Sequence, residues 1–153
     1  MADMTNHVRA LRAEDRERWG ELWRGYLEFY KHALPAEVTD LTWRRLVDPA
    51  HPFQALAAID SRQQVVGIVH FHVHASTWAG VGYCYLEDLF VDPACRGSGF
   101  GRALIEAVYR AADDQGAERV YWHTETSNVR AQALYHRVAE LTPFVQFRRR
   151  PPR

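Results

Sequence analysis

The chain has 153 residues, 47% of them hydrophobic, with five Trp, seven Tyr and seven Phe; this suits one domain spanning 1–153 with a substantial core and excludes a disordered chain. Lys plus Arg and Asp plus Glu balance at 19 each, so the basic excess of a nucleic-acid or membrane-surface binder is missing. No apolar run reaches the roughly 18 residues of a spanning helix, no signal-peptide stretch opens the chain, and Cys84 and Cys95 are the only cysteines, so a cytoplasmic protein with free thiols and no zinc framework is expected.

In chain order, residues 7–10 read as a short strand. Residues 13–30 then carry Trp19, Leu22, Trp23, Tyr26, Leu27 and Tyr30 at spacings of three and four, which is one apolar stripe on a helix. A second helix is expected over 37–47, ended by Asp48-Pro49. Residues 53–59 and 65–76 are rich in β-branched and aromatic side chains and flank a short polar link, the pattern of an antiparallel hairpin. A strand over 83–91 follows, closed by Asp92-Pro93. After a glycine-rich turn come a helix from 101 to about 114 with Gly116 as its C-terminal stop, a strand over 119–123, a helix over 128–139 and a last strand over 144–148. The order predicts an α/β fold of the mixed α+β kind: a central, mostly antiparallel sheet flanked by helices, with one strand–helix–strand crossover in its second half.

The turn runs Val91-Asp92-Pro93-Ala94-Cys95-Arg96-Gly97-Ser98-Gly99-Phe100-Gly101. It leads a strand into a helix N-terminus stripped of side chains, where backbone N–H groups and the helix dipole favour an anion. It is neither a dinucleotide fingerprint nor a P-loop, because the third small residue of the first and the Gly-Lys-Ser/Thr of the second are absent. A tight turn that merely needs glycine is the bland alternative.

Arg96-x-x-Gly99-x-Gly101 resembles the R/Q-x-x-G-x-G/A signature of the GNAT superfamily of N-acetyltransferases, and the order of strands and helices fits that family along nearly the whole chain. The nearest likeness is to the small amine and histone acetyltransferases of the yeast Hpa type and their bacterial relatives, through Tyr85-Leu86-Glu87-Asp88-Leu89-Phe90-Val91 and the aromatic first helix. Spermidine/spermine acetyltransferases have a similar Leu-Glu-Asp strand. The resemblance implies an acetyl-CoA-dependent N-acetyltransferase that acts directly on a primary amine, whether small amine, polyamine, amino acid or protein lysine. It implies that Arg96, Gly97, Ser98, Gly99, Phe100, Gly101 and Arg102 bind the coenzyme pyrophosphate. Leu89, Phe90 and Val91 would hold the pantetheine and the thioester carbonyl. Partners are then a small-molecule or peptide amine and a second copy in a homodimer. A non-catalytic acyl-CoA-binding sensor on the same fold is the alternative function.

Acetyl transfer to an amine needs a base, because a free alkylammonium has a pKa of roughly 10. Glu87 and Asp88 are the candidates, and adjacent strand residues face opposite ways unless the strand bulges. By resemblance to the polyamine enzymes, Glu87 is the base and Asp88 binds or orients the cationic acceptor, with Phe29 and Tyr30 as an aromatic wall. Asn128 and Tyr135 lie seven apart, on one helix face with Ala131 between them. The resemblance makes Tyr135 the acid for the departing thiolate and has Asn128 and Ala131 contact the cofactor. After Tyr135 the chain departs from the family in lacking a glycine between Arg137 and Phe144. His70, His72 and His74 alternate along one strand and so share a face; zinc binding, a proton relay and a partly solvated sheet face are the readings weighed, and no metal is expected. The basic residues of 148–153 read as a solvated terminus.

Overall fold

Five short runs pair into one sheet in the computed structural model, which describes residues 7–152. The strands are β1 (His7–Ala10), β2 (Gln54–Ile59), β3 (Val65–His74), β4 (Tyr83–Val91) and β5 (Val120–Tyr121), paired in that order. The pairs β1–β2, β2–β3 and β3–β4 are antiparallel, and β4–β5 is parallel. The parallel pair needs a crossover, and the helix α3, Phe100–Asp114, supplies it. The mixed sheet expected from the element order is therefore present. The chain divides after His123 into two compact units, and the sheet belongs entirely to the first.

The first unit buries apolar side chains on both sides of the sheet. A short 3₁₀ turn, Ala13–Asp15, leads into α1 (Arg16–Phe29), and α2 (Ala36–Val47) follows. Trp19, Leu22 and Trp23 of α1 and Leu46 of α2 pack with Ala55, Ala57, Ile59, Ile68 and Phe90 of the sheet. The alternate residues Val69, Phe71, Cys84 and Leu86 are buried as well, on the opposite face. That face meets α3, whose Leu104, Ile105, Val108 and Ala112 form its buried stripe. Leu104 lies so close over Gly67 that a Cβ there would stand 3.1 Å from its Cδ1. Gly116 ends α3 at φ +75°, as its sequence position led us to expect. Two ion pairs tie α1 and its lead-in to the sheet: Arg9 to the buried Asp15 at 2.7 Å, and Arg18 to Asp92 at 2.7 Å.

The second unit contains α4 (Val129–Val138). The expected last strand over 144–148 does not form; residues 139–152 have no regular secondary structure. Phe144, Val145 and Phe147 have strand-forming side chains but no ladder partner among the described residues, and side-chain preference alone does not make a strand. The expected strand over 119–123 shortens to Val120–Tyr121 for the same reason, because pairing with β4 covers only two residues.

Candidate active site

The register between β3 and β4 breaks at the two carboxylates. Phe71 pairs with Leu86 and His70 with Asp88, which leaves Glu87 as the extra residue of a bulge. The bulge cancels the strict alternation, and Glu87 and Asp88 act on the same surroundings. Burial first, then the charge of Asp88 and more weakly that of Glu87, pushes the hydroxyl pKa of Tyr26 on α1 far up. Glu87 is exposed along β4, yet its carboxyl is raised above the usual range, first by partial loss of solvent, then by the neighbouring Asp88 charge, with His70 opposing. A carboxylate raised in this way is a better proton acceptor at neutral pH than an ordinary one.

Asp88 takes the Nδ1 hydrogen bond of His70 at 2.9 Å, and His70 Nε2 accepts from Trp19 Nε1 at 3.0 Å. His70 is only 3% exposed, which corrects the expectation of a partly solvated histidine face at that position. With its Nε2 lone pair used by Trp19, it is not available to take a proton from substrate. His72 is partly buried, and burial followed by the charges of His74 and His51 lowers its pKa. His74 Nε2 lies 2.6 Å from the Tyr121 hydroxyl, and Tyr85 meets His123 Nδ1 at 3.2 Å.

The aromatic row of α1 runs toward the carboxylates. Trp19 stacks on Trp23, Trp23 on Tyr26, and Tyr26 lies against Tyr30, with centroids 5.7, 5.4 and 5.0 Å apart. Phe29 and Tyr30 stand at the end of the helix, Phe29 half exposed. A cleft of about 430 Å³ beside Phe29, lined also by Arg18, Leu22, Gly25, Phe90 and Arg96, lies toward the turn after β4 and does not include Glu87 or Asp88. Beyond Tyr85, β4 has a ladder partner only on its β3 side among the described residues. The edge formed by Leu89, Phe90 and Val91 can therefore receive an extended ligand carrying amide groups.

The turn after β4 is held by its own residues. Asp92 accepts from the Ala94 N–H at 2.9 Å, and the hydrogen bond from Arg18 keeps its carboxyl below the usual range. Arg96 Nε donates to the Val91 carbonyl at 3.1 Å, and its guanidinium lies over Phe90. Gly97 and Gly99 both adopt left-handed φ, +82° and +84°, where glycine is favoured. A Cβ at Gly97 would meet nothing within 4 Å, so the backbone there borders open space. Gly99 caps α3 without a side-chain bond, and the first helical bond runs from Ala103 N–H to the Gly99 carbonyl. The N–H groups of Phe100, Gly101 and Arg102 thus precede the helical ladder at its positive end. A turn in which Gly97, Gly99 and Gly101 carry no side chain presents N–H donors that suit a pyrophosphate, and the open strand edge suits a pantetheine arm.

In the second unit, Asn128 occupies the N-cap position of α4 without a capping bond, and its Nδ2 reaches Thr124 Oγ1 at 3.3 Å. Its side chain therefore bonds Thr124 and not the helix backbone. Ala131 and Tyr135 lie on α4 as expected and are partly buried.

The profile of the acetyltransferase (GNAT) family matches residues 12–139. The chain belongs to this family. It is 38% identical over 143 residues to the D-amino-acid N-acetyltransferase HPA3 of Saccharomyces cerevisiae, covering 93% of this chain and 89% of that one. It is also 38% identical over 71 residues to the thialysine N-epsilon-acetyltransferase of Bos taurus, covering 46% and 41% of the two chains. Among solved structures, the complex of AAC(6')-Iy with the bisubstrate analog CoA-S-monomethyl-acetylneamine superposes with a TM-score of 0.81 at 19% identity, covering 95% and 98%. The ribosomal-protein-alanine N-acetyltransferase of Brucella melitensis biovar Abortus 2308 gives 0.77 at 19%, covering 94% and 98%. As a GNAT protein, the chain is an acetyl-CoA-dependent N-acetyltransferase.

Trp19, Tyr26 and His70 are the members of the carboxylate surroundings whose part the sequence pattern did not reveal. Trp19 and Tyr26 are seven apart on the apolar stripe, which reads as core. The pairing of His70 with Asp88 depends on a bulge that alternation does not signal.

Proposed function

We propose that the acceptor is the primary amine of a small molecule, with free amino acids the first class. The likeness to a D-amino-acid N-acetyltransferase over 93% of the chain supports this reading. The two carboxylates of the β4 bulge, beside the aromatic end of α1, give an alkylammonium both charge and ring faces. Acetyl-CoA supplies an acetyl group activated as a thioester. In this reading Arg96, Gly97, Ser98, Gly99, Phe100, Gly101 and Arg102 hold its pyrophosphate, and Leu89, Phe90 and Val91 its pantetheine arm. Asn128 and Ala131 contact the cofactor from α4. Asp88, Phe29 and Tyr30 orient the ammonium, Glu87 takes its proton, and Tyr135 Oη supplies a proton to the leaving sulfur. One domain carries all these parts; the family match from 12 to 139 crosses the boundary between the two units, which supports that reading.

Thiol release from acetyl-CoA, measured over D- and L-amino acids, polyamines and lysine peptides, tests the acceptor. Turnover with amino acids should exceed that with polyamines and peptides, and the reverse order would move the acceptor class. Coenzyme A binding without turnover on any amine would favour the sensor. In the same assay Tyr135→Phe should lower kcat about 10²-fold while acetyl-CoA binding stays intact, the effect of losing a general acid. Wild-type turnover in that variant would reduce Tyr135 to packing.

We place the protein in the cytoplasm as a homodimer. Cys84 and Cys95 are both free thiols, and no helix among the described residues is long and apolar enough to cross a membrane. Leu141, Phe144, Val145 and Phe147 are each at least 78% exposed, an apolar run that a second copy would cover. Light scattering should give twice the mass of one chain.

A further inference from the structure

The interior beneath the bulge holds a polar chain that the acetylation chemistry does not itself require: Trp19, His70 and Asp88, linked at 3.0 and 2.9 Å. Indole N–H can only donate, so His70 Nε2 must accept. The ring's single proton then lies on Nδ1, aimed at Asp88, and the imidazole is neutral. The rings of Trp19 and Trp23 flank it, with centroids 6.0 and 5.4 Å away, and no other polar side chain competes for Nε2 in the bonds described. A carboxylate accepts about four hydrogen bonds. Among the described residues His70 supplies one to Asp88, which leaves lone pairs for a ligand.

We propose that His70 is a positioning residue for the acceptor: fixed by Trp19 as the Nδ1–H tautomer, it donates to Asp88 and aims that carboxylate at the substrate ammonium. The device explains why a histidine lies buried where an apolar residue would pack more cheaply, since a buried imidazole costs stability unless both nitrogens are bonded. It also explains the choice of Trp19 at the centre of an apolar stripe: its N–H selects the tautomer, as an outer hydrogen bond selects the tautomer of a working histidine elsewhere. The inference rests on Asp88 orienting the acceptor.

Two substitutions separate positioning from packing. Asn at position 70 places an amide N–H near the Nδ1–H but leaves a void; Phe fills the volume and has no donor. His70→Phe should raise the acceptor KM and lower the acceptor kcat/KM about 10- to 100-fold, the worth of a hydrogen bond to a charged group, with the acetyl-CoA KM unchanged. His70→Asn should recover most of that loss despite a lower melting temperature. If His70→Phe performs as well as His70→Asn, the side chain is packing and the proposal falls. Imidazole ¹⁵N shifts of the wild-type protein provide a check independent of any variant: His70 should show one Nδ1–H tautomer, which Trp19→Phe should convert to a mixture. An Nε2–H tautomer in the wild type overturns the proposal. Asp88→Asn distinguishes the two levels of the argument. An unchanged acceptor KM there removes Asp88 from the acceptor site and the inference with it, whereas a raised KM with a wild-type His70→Phe removes only the inference.

Discussion

Gly97→Asp is expected to weaken coenzyme A binding about 10²-fold more than Gly97→Asn, with both variants folded. Gly97 has φ +82° and open space where its Cβ would stand. Asn and Asp tolerate left-handed φ better than other side chains and have nearly the same shape, so the pair shares the backbone strain and differs in one charge. Two unit charges about 4 Å apart at an effective dielectric of ~20 interact by about 4 kcal/mol. Solvent screening at an exposed turn reduces this, and about 2.7 kcal/mol corresponds to 10²-fold. Calorimetric titration with coenzyme A measures the difference. The thermal shift on adding the coenzyme should follow it, because a ligand that binds the folded state stabilises it by RT ln(1 + L/Kd), with L the free ligand concentration. Equal affinities for the two variants would place the pyrophosphate elsewhere. Added salt should narrow the gap between them, since the effect is electrostatic.

The turn was readable because its chemistry is local. Arg96, Gly97, Gly99 and Gly101 fall within six consecutive positions, and the strand before them and the helix after them follow from the periodicity of neighbouring residues. The same holds for α1, whose Trp19, Leu22 and Trp23 are buried as their spacing requires. What depends on a partner distant in sequence was less readable. Residues 144–148 have the side chains of a strand but no ladder to join. The alternation of His70, His72 and His74 correctly puts them on one face, yet it does not say that α1 covers the first and leaves the others nearer solvent.

The carboxylates show the same limit at the scale of one residue. Alternation predicts that Glu87 and Asp88 diverge, and the bulge brings both to bear on Tyr26. A bulge is set by how two strands register over their length, in this case by the buried Phe71 and Leu86 on one side of it and the His70–Asp88 pair on the other. The sequence supplies the residue types for a base and an anion; the register decides which way each faces. Loss of solvent raises the carboxyl of Glu87 first, and the adjacent Asp88 charge raises it further, since two like charges close together disfavour ionisation of the second.

Glu87→Gln should therefore change the shape of the pH profile and not only its height. In the wild type, the productive pair is ionised Glu87 with an ammonium substrate. The acceptor kcat/KM should rise with pH as Glu87 loses its proton, then level off until the amine itself titrates, near pH 10 for an alkylammonium. The raised carboxyl of Glu87 sets the acid limb above the range of an ordinary glutamate. In Glu87→Gln no base is present and only the free amine reacts, so kcat/KM should climb about tenfold per pH unit up to the pKa of the amine. The deficit is then largest at low pH, about 10³-fold at pH 7 for such an amine, where roughly one molecule in 10³ is unprotonated, and it shrinks about tenfold with each unit of rising pH. An acceptor with a lower pKa should show a smaller deficit at the same pH, so a series of amines of graded basicity tests the argument twice. Glutamine keeps the shape of the side chain, so acetyl-CoA affinity should not move. A variant profile that runs parallel to the wild type at every pH would assign the base to another group, and with His70 bonded to Trp19, His72 would be the next residue to replace.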